Sequence, residues 1–355
     1  MEKFRVGILG ATGAVGQKFV ELLADHPWFE ITALAASERS AGKTYTEAVN
    51  WVGSTPIPES VANQIVTTCV PEVVDADFVF SGVDASVALE MERDFAAAGI
   101  PVISNTRNYR MEQFVPLLIP EVNPDHIKLI DRQSYSDKGG FIVTNPNCST
   151  VGLVMSLLPL QEAFGLEAVH VVTMQALSGA GYPGVPSLDI LGNVVPHIGG
   201  EEAKMELEPL KIMGSLGENG VDYADFKISA SCNRVPVLDG HTESVSVKLK
   251  KPATIEAIKD VFKNFKDPLA DLDLPLSPPK LIHVFEDERF PQPRRHALFG
   301  RGMTVSVGRI RPDSIFDVKF TCLVHNTIRG AAGGAILNAE LLVKKGYLKH
   351  REVLA

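Results

Sequence analysis

Phe4-Arg-Val-Gly-Ile-Leu-Gly-Ala-Thr-Gly-Ala-Val-Gly16, followed by Gln17-Lys-Phe-Val-Glu-Leu-Leu23, reads as a short apolar strand, a glycine-rich turn and a helix. The spacing is GxxGxxG, a variant of the dinucleotide fingerprint. Its glycines permit a tight turn, close backbone approach to a pyrophosphate, and close packing of helix on strand. A bare glycine triplet is weak evidence. Its place in the first strand–turn–helix unit of the chain makes it a strong one.

Working outward, the same rhythm repeats. Phe29–Ala35 is a second strand and Ala76–Ser81 a third, ending at Gly82. A helix-like segment follows at Val87–Ala98, then the strand Ile100–Ser104. This βαβ alternation predicts a Rossmann-like, doubly wound parallel sheet in the N-terminal half of an α/β chain. Ligands sit at the carboxyl ends of such strands, which places Ser81, Gly82 and the stretch Asn105–Arg110 toward a ligand. Arg110 is the basic group singled out there; a surface arginine is the competing reading. The tip after the second strand carries Ser37, Arg39, Ser40 and Lys43, which suit a 2′-phosphate and favour NADP. Glu38 complicates this, because a carboxylate at that tip holds the ribose hydroxyls in NAD sites. A solvated polar turn is the third reading.

The bulk numbers set bounds. A length of 355 residues suggests two domains. Hydrophobic content of 45% with 22% charged residues is that of an ordinary globular protein. A net charge of −9 argues against nucleic acid or an anionic membrane as the main partner. Four widely spaced cysteines without a CxxC pair argue against a disulfide framework or a zinc ribbon, and no metal site is expected. With neither a signal peptide nor a run of about 20 apolar residues, the expected compartment is the cytosol.

Thr144-Asn-Pro-Asn-Cys-Ser-Thr150 joins an expected strand, Gly140–Thr144, to an expected helix over the apolar run Val151–Leu158. Cys148 therefore sits at a helix N-terminus, where free N–H groups favour a thiolate and can hold an oxyanion. Plain packing competes, since unpaired cysteine is often buried. Beyond this point the strands lengthen and alternate: Ala168–Leu177, Glu243–Lys251, Met303–Arg311 and Phe316–His325, beside a helix at Thr254–Phe265. That predicts a C-terminal α+β domain with a mixed sheet. A helix over Ile328–Val343 would close the first domain, giving 1–147 with 327–355 as one domain and 148–326 as the other. Within the second, Gln175 ends a strand and could orient a substrate or water. Arg234 and His241 lie seven residues apart in a segment that looks extended but carries Pro236 and Gly240, and His is the usual acid/base partner of a thiol. Glu201 and Lys204 fall at i, i+3 on one helix face, which is ordinarily a solvated pair.

Taken together, the segments GATGAVG from Gly10, NPNCST around Cys148, QALSGAGYPG from Gln175, GGEEAKM from Gly199, CNRVPVLDGHTE ending at Glu243 and HNTIRGAAGG from His325 resemble the aspartate-semialdehyde dehydrogenases, in particular their archaeal and fungal branch. The resemblance runs over nearly the whole chain. It implies reduction of 4-aspartyl phosphate through a Cys148 thioester, with NADPH as hydride donor. It makes His241 the acid/base, Gln175 the group that orients the acyl intermediate, and Asn147 the neighbour of the thiol. Arg234 would clamp the substrate α-carboxylate, Glu201 rather than Glu202 would hold the α-ammonium, and Lys204 and Arg110 would bind phosphate. Gly10, Thr12, Gly13, Ala14 and Val15 would form the NADP phosphate loop, with Ser37 and Ser40 at the 2′-phosphate. Ser178, Gly179 and Asn326 would meet the nicotinamide end. The family further implies a homodimer or homotetramer through the second domain, hence a catalytic and dimerisation domain at 148–326.

Malonyl-CoA reductase shares the scaffold and the thiol chemistry, but has no substrate ammonium to hold, and its cysteine motif departs from NPNC. N-acetyl-glutamyl-phosphate reductase has a blocked amine. A Cys–His hydrolase needs no dinucleotide loop, and a non-catalytic NADP sensor needs neither Cys148 nor His241.

Overall fold

The computed structural model describes residues 2–135 and 137–351. The chain divides into two compact units: Met1–Pro120, Pro124–Asn145 and Ala331–Ala355 form the first, Glu121–Asn123 and Pro146–Gly330 the second. This partition differs by a few residues at each seam from the division read from sequence, and it assigns Glu121–Asn123 to the second unit.

The first unit is built on β1 (Phe4–Leu9), β2 (Phe29–Ala36), β3 (Thr67–Thr68), β4 (Phe78–Ser81), β5 (Val102–Ser104) and β6 (Ile142–Thr144). All neighbours are parallel, in the order β3-β2-β1-β4-β5-β6. The strands are short apolar runs because they are covered on both faces. Helix α1 (Ala14–Leu23) follows β1, and α2 (Ala85–Ala97) follows β4. Gly16 sets the fit of α1 on β1: a Cβ there would lie 2.2 Å from the Gly10 carbonyl oxygen. The strand order reverses between β1 and β4, which opens a crevice at their carboxyl ends.

In the second unit α3 (Cys148–Phe164) is apolar all round, and every residue from Ser149 to Leu160 is buried. Its sheet contains β7 (Leu166–Gln175), β10 (Lys227–Arg234), β11 (His241–Leu249), β12 (Ile282–Val284), β13 (Val305–Pro312) and β14 (Val318–Val324), in the order β10-β7-β11-β14-β13-β12. A small hairpin of β8 (Ser215–Gly217) and β9 (Gly220–Asp222) stands apart. Strand β7 is parallel to β10 and antiparallel to β11, so the sheet is mixed, as the alternating strands predicted. Helices α4 (Glu201–Ile212) and α5 (Ile255–Lys263) complete the layer; Thr254 caps α5 through the Ala257 N–H.

The C-terminal helix expected over Ile328–Val343, within the closing segment 327–355, starts five residues later. A wide turn at Ile328–Ala332, in which Ala331 leaves helical geometry, precedes α6 (Gly333–Lys344). Gly346 then adopts φ +76°, and the Gly346 and Tyr347 N–H groups bond back to Val343 and Leu342. A left-handed glycine of this kind ends a helix and satisfies its last carbonyls. Residues 352–355 of the closing segment lie outside the described residues.

Candidate active site

Cys148 is the first residue of α3, and Asn147 is its cap. Asn147 Oδ1 accepts from the Ser149 and Thr150 N–H groups at 3.0 and 3.4 Å. Such a cap stabilises a helix by about 1 kcal/mol and fixes the entry angle of the chain. Cys148 Sγ lies 3.1 Å from His241 Nε2. On the other side of the ring, His241 Nδ1 lies 3.0 Å from the backbone nitrogen of Ala176. An amide N–H can only donate, so Nδ1 accepts and the proton of the neutral imidazole resides on Nε2, facing the sulfur. Burial first, then the Arg234 guanidinium and His325, push His241 down to about 3. Imidazolium is doubly disfavoured, because a second proton at Nδ1 would face the Ala176 N–H.

Three strand ends meet here. Arg234 closes β10 and pairs in register with Gln175, the last residue of β7; His241 opens β11. The segment 235–240 crosses the end of β7 to join them. The stretch from Arg234 to His241 is thus a turn between two strands, interrupted at the Pro236 and Gly240 noted in the sequence. Arg234 Nη1 donates to the Ala176 carbonyl at 2.6 Å. A Cβ on Gly179 would lie 2.9 Å from that Nη1 and 3.0 Å from His241 Cε1. Asn326 donates to Ser178 Oγ and accepts from the Gly240 N–H, both at 2.8 Å.

The Glu201–Lys204 pair is not the solvated pair that helical spacing predicts. Glu201 is buried, and it takes Lys204 Nζ at 2.5 Å, Asn147 Nδ2 at 3.1 and 2.9 Å, and Gln175 Nε2 at 3.2 Å. Burial would raise this carboxyl, but the Lys204 charge and the three hydrogen bonds outweigh it and hold Glu201 below its ordinary value. Periodicity could not reveal this, because charged residues mark the face of α4 that packs inward. Glu202 instead accepts from the Cys232 backbone N–H at 3.2 Å.

The remaining residues singled out from the sequence belong to the first unit. Gly10, Gly13, Ser37, Glu38 and Gly82 line a cleft of roughly 760 Å³ together with Thr68, Cys69 and Met91. Arg39 and Ser40 stand on the neighbouring turn, and Thr12, Ala14 and Val15 on the loop and first turn of α1; none of these five lines the cleft. Gly13 caps α1 without a side-chain bond, so the first-turn N–H groups are open to an anion. Uncapped helix, glycine cradle and strand-end crevice fit a dinucleotide. Ser81 is fully buried, and Arg110, 7% exposed, donates to the Asn105 carbonyl at 2.9 Å.

Sequence reading missed three features. Gly330 packs on the nucleophile candidate: a Cβ there would lie 2.8 Å from Cys148 Cβ and 2.9 Å from its Cα. Arg329 and Glu121 form a buried bidentate pair, 2.7 Å in both arms, 208 residues apart. Glu243, two residues after His241 on the same buried face, has its Oε1 without a hydrogen-bond partner among the described residues. Burial pushes its carboxyl up to about 8, with the Cys322 thiol at 3.5 Å only partly opposing. A raised carboxyl contributes stability below about pH 4.5 and loses it as pH rises through about 8. The stability gap between Glu243→Gln and the parent protein should therefore grow by on the order of 1 kcal/mol per pH unit across that window. Chemical unfolding at several pH values reads this directly, and a gap independent of pH would show that Glu243 is ionised throughout.

Among the described residues, no group of three or more His, Cys, Asp and Glu is arranged to hold a metal, and no helix is long and apolar enough to cross a membrane. Residues 5–130 match the family model for the semialdehyde dehydrogenase NAD binding domain, and residues 157–329 that for the semialdehyde dehydrogenase dimerisation domain. The chain is 52% identical to the aspartate-semialdehyde dehydrogenase of Archaeoglobus fulgidus over 345 residues, covering 97% of this chain and 99% of that one. It is 46% identical to the enzyme of the same name from Saccharomyces cerevisiae, covering 96% and 98%. The crystal structure of the Candida albicans aspartate semialdehyde dehydrogenase with NADP superposes with a TM-score of 0.91 at 44% identity, covering 98% of this chain and 100% of that one. With a thiol at a helix N-terminus, an imidazole beside it and such likeness over almost its full length, the chain belongs to the aspartate-semialdehyde dehydrogenase family.

Proposed function

We propose that this chain reduces 4-aspartyl phosphate to L-aspartate 4-semialdehyde and phosphate, reversibly, in the biosynthesis of lysine, threonine and methionine. The observation that carries the reading is Cys148 Sγ at 3.1 Å from a His241 Nε2 that bears the ring proton. In this reading the Cys148 thiolate attacks the γ-carbonyl and phosphate leaves, which forms a thioester. NADPH, when bound, supplies the hydride that reduces it. The tetrahedral oxyanion then collapses to the aldehyde and returns the thiolate. His241 donates its Nε2 proton as a hydrogen bond to the sulfur and to the developing oxyanion, a role a neutral imidazole fills. Proton bookkeeping closes on the released phosphate, so no imidazolium is required.

Gln175 and Asn147 orient the acyl group and the thiol. The Arg234 guanidinium clamps the substrate α-carboxylate, for which a planar fork is suited. Glu201, already gathering three donors, takes the α-ammonium; this buried acid favours an amine-bearing substrate over malonyl-CoA. Lys204 and Arg110 bind phosphate. The loop of Gly10, Thr12, Gly13, Ala14 and Val15 takes the NADP pyrophosphate, Ser37, Arg39 and Ser40 its 2′-phosphate, and Ser81, Gly82, Ser178, Gly179 and Asn326 the nicotinamide side. The first unit is then the dinucleotide-binding domain and the second the catalytic one. A homodimer or homotetramer in the cytosol completes the reading, supported by the dimerisation-domain match over residues 157–329.

The test is a reverse-direction assay that follows NADPH formation from aspartate semialdehyde, phosphate and NADP, with each omitted in turn. NADPH should form only with all three. No formation, with NADPH consumed by malonyl-CoA instead, would transfer the chemistry to a different substrate and remove Glu201 and Arg234 from their roles.

A further inference from the structure

Helix α4 presents two acids to the residue that precedes the nucleophile. Glu201 holds the Asn147 side chain, as described above. Seven residues along, close to two helical turns, Glu208 Oε2 accepts the Asn147 backbone N–H at 2.7 Å. Glu208 is buried, at 3% exposure, and Asn147 at 6%. Met205, between them on the same face, takes the Thr150 hydroxyl at 3.7 Å on its sulfur. Asn147 is thereby tied at its backbone nitrogen, at both functions of its side chain, and through its cap to the first turn of α3. Cys148 is the next residue, and its direction follows from that of Asn147.

The two grips differ in the group they hold. Glu201 holds the Asn147 side chain, also serves Lys204 and Gln175, and in the reading above must accept the substrate ammonium. Its hold on Asn147 then loosens as substrate arrives. Glu208 grips the main chain, out of the substrate's reach in that reading. We propose that Glu208 is a positioning residue that keeps the Cys148 turn in attack geometry while Glu201 turns to the substrate amine. The inference rests on Cys148 being the nucleophile. The spacing that betrays it is Glu201, Lys204, Glu208: i, i+3 and i+7 on one face of α4.

The test uses the full chain with Glu208→Gln, Glu208→Leu and Glu208→Asp. Glutamine keeps an acceptor at the same reach, leucine removes it, and aspartate keeps the charge but withdraws the acceptor by one methylene. Two readouts are taken: kcat and KM for semialdehyde oxidation, and the rate of Cys148 alkylation by iodoacetamide across pH. Misplacing a reacting atom by about 1 Å costs about 100-fold in rate. Glu208→Leu should lose about 100-fold in kcat with KM for the semialdehyde changed less than threefold, and its alkylation profile should shift. Glu208→Gln should retain most of kcat and the parent profile. Should the leucine variant not fold, the ranking of the other two decides: glutamine above aspartate supports an acceptor at fixed reach, and any other ranking overturns it. Cys148→Ser is run in parallel. If that variant still turns over, the nucleophile reading fails and this proposal with it. If it is inactive and the Glu208 ranking is absent, only this proposal fails.

Discussion

Cys148→Ser is expected to lower turnover by about 10⁴-fold or more while NADP binding stays within about twofold of the parent protein. The geometry makes serine an especially poor substitute. A hydroxyl needs a base to become a nucleophile, and the ring nitrogen 3.1 Å from this position carries a proton, because the Ala176 N–H occupies the other nitrogen. A thiol can act as its own anion at neutral pH; a hydroxyl cannot. Binding should survive because the glycine loop and the cleft proposed to take the dinucleotide lie in the first unit, whereas position 148 opens α3 in the second. Steady-state oxidation of the semialdehyde and calorimetric titration with NADP separate the two. Turnover within tenfold of the parent would remove Cys148 from its role.

Gly330→Ala should lower kcat by about 100- to 1,000-fold through one added methyl group. The new Cβ would stand 2.8 to 3.0 Å from the Cβ, Cα and carbonyl oxygen of Cys148, closer than carbon atoms pack, so one of the two segments must move. The segment bearing residue 330 is poorly placed to retreat. Its N–H bonds the His325 carbonyl at 3.0 Å, and the preceding Arg329 is locked to Glu121 in a buried bidentate pair. Breaking such a pair costs about 3–5 kcal/mol, against about 1–3 kcal/mol for absorbing an overpacked methyl elsewhere. The displacement therefore falls on the Cys148 turn, the part of the chain where ångström errors matter most. Thermal unfolding should shift by only a few degrees, which distinguishes a displaced Cys148 from a failed fold. A kcat within threefold of the parent would mean that the 330 segment yields instead.

Both variants concern residues whose legibility in the sequence differs sharply. Cys148 stands out because a strand-like run ends and a helix-like run begins around it. Gly330 stands inside an alanine- and glycine-rich segment in which no single glycine is distinguished. The parallel sheet was readable for a similar reason to Cys148. Phe4–Leu9 and Phe29–Ala36 are short apolar runs punctuated by glycine and polar turns, and a sheet covered on both faces requires no more than that. The mixed sheet was announced by period-two alternation, as in the buried and half-exposed residues of β11. The Cys148 helix begins three residues ahead of its apolar run, because Asn147 supplies the cap that apolarity does not mark.

Charged residues that end up inside were the illegible part. Glu201, Glu208 and Glu243 carry no apolar label; alternation alone sets Glu243 on the face of Val245 and Val247, but nothing in the pattern says that a carboxyl is kept there. Their burial rests on partners far along the chain: Asn147 lies 54 residues from Glu201 and 61 from Glu208, and Cys322 lies 79 from Glu243. The state of His241 is of the same kind, set by an amide 65 residues away.

The amino-acid sequence alone was enough for the two kinds of sheet, the glycine turn, the strand-to-helix placement of Cys148 and, through shared motifs, the family. These follow from backbone preference and from apolar periods, interactions between residues a few positions apart. The proton position on His241, the gathering of Arg234 and Gln175 at adjacent strand ends, the burial of the α4 acids and the contact of Gly330 with Cys148 arise only on folding. Each depends on strand register or on satisfying a buried polar group, and those are long-range conditions that no local pattern encodes.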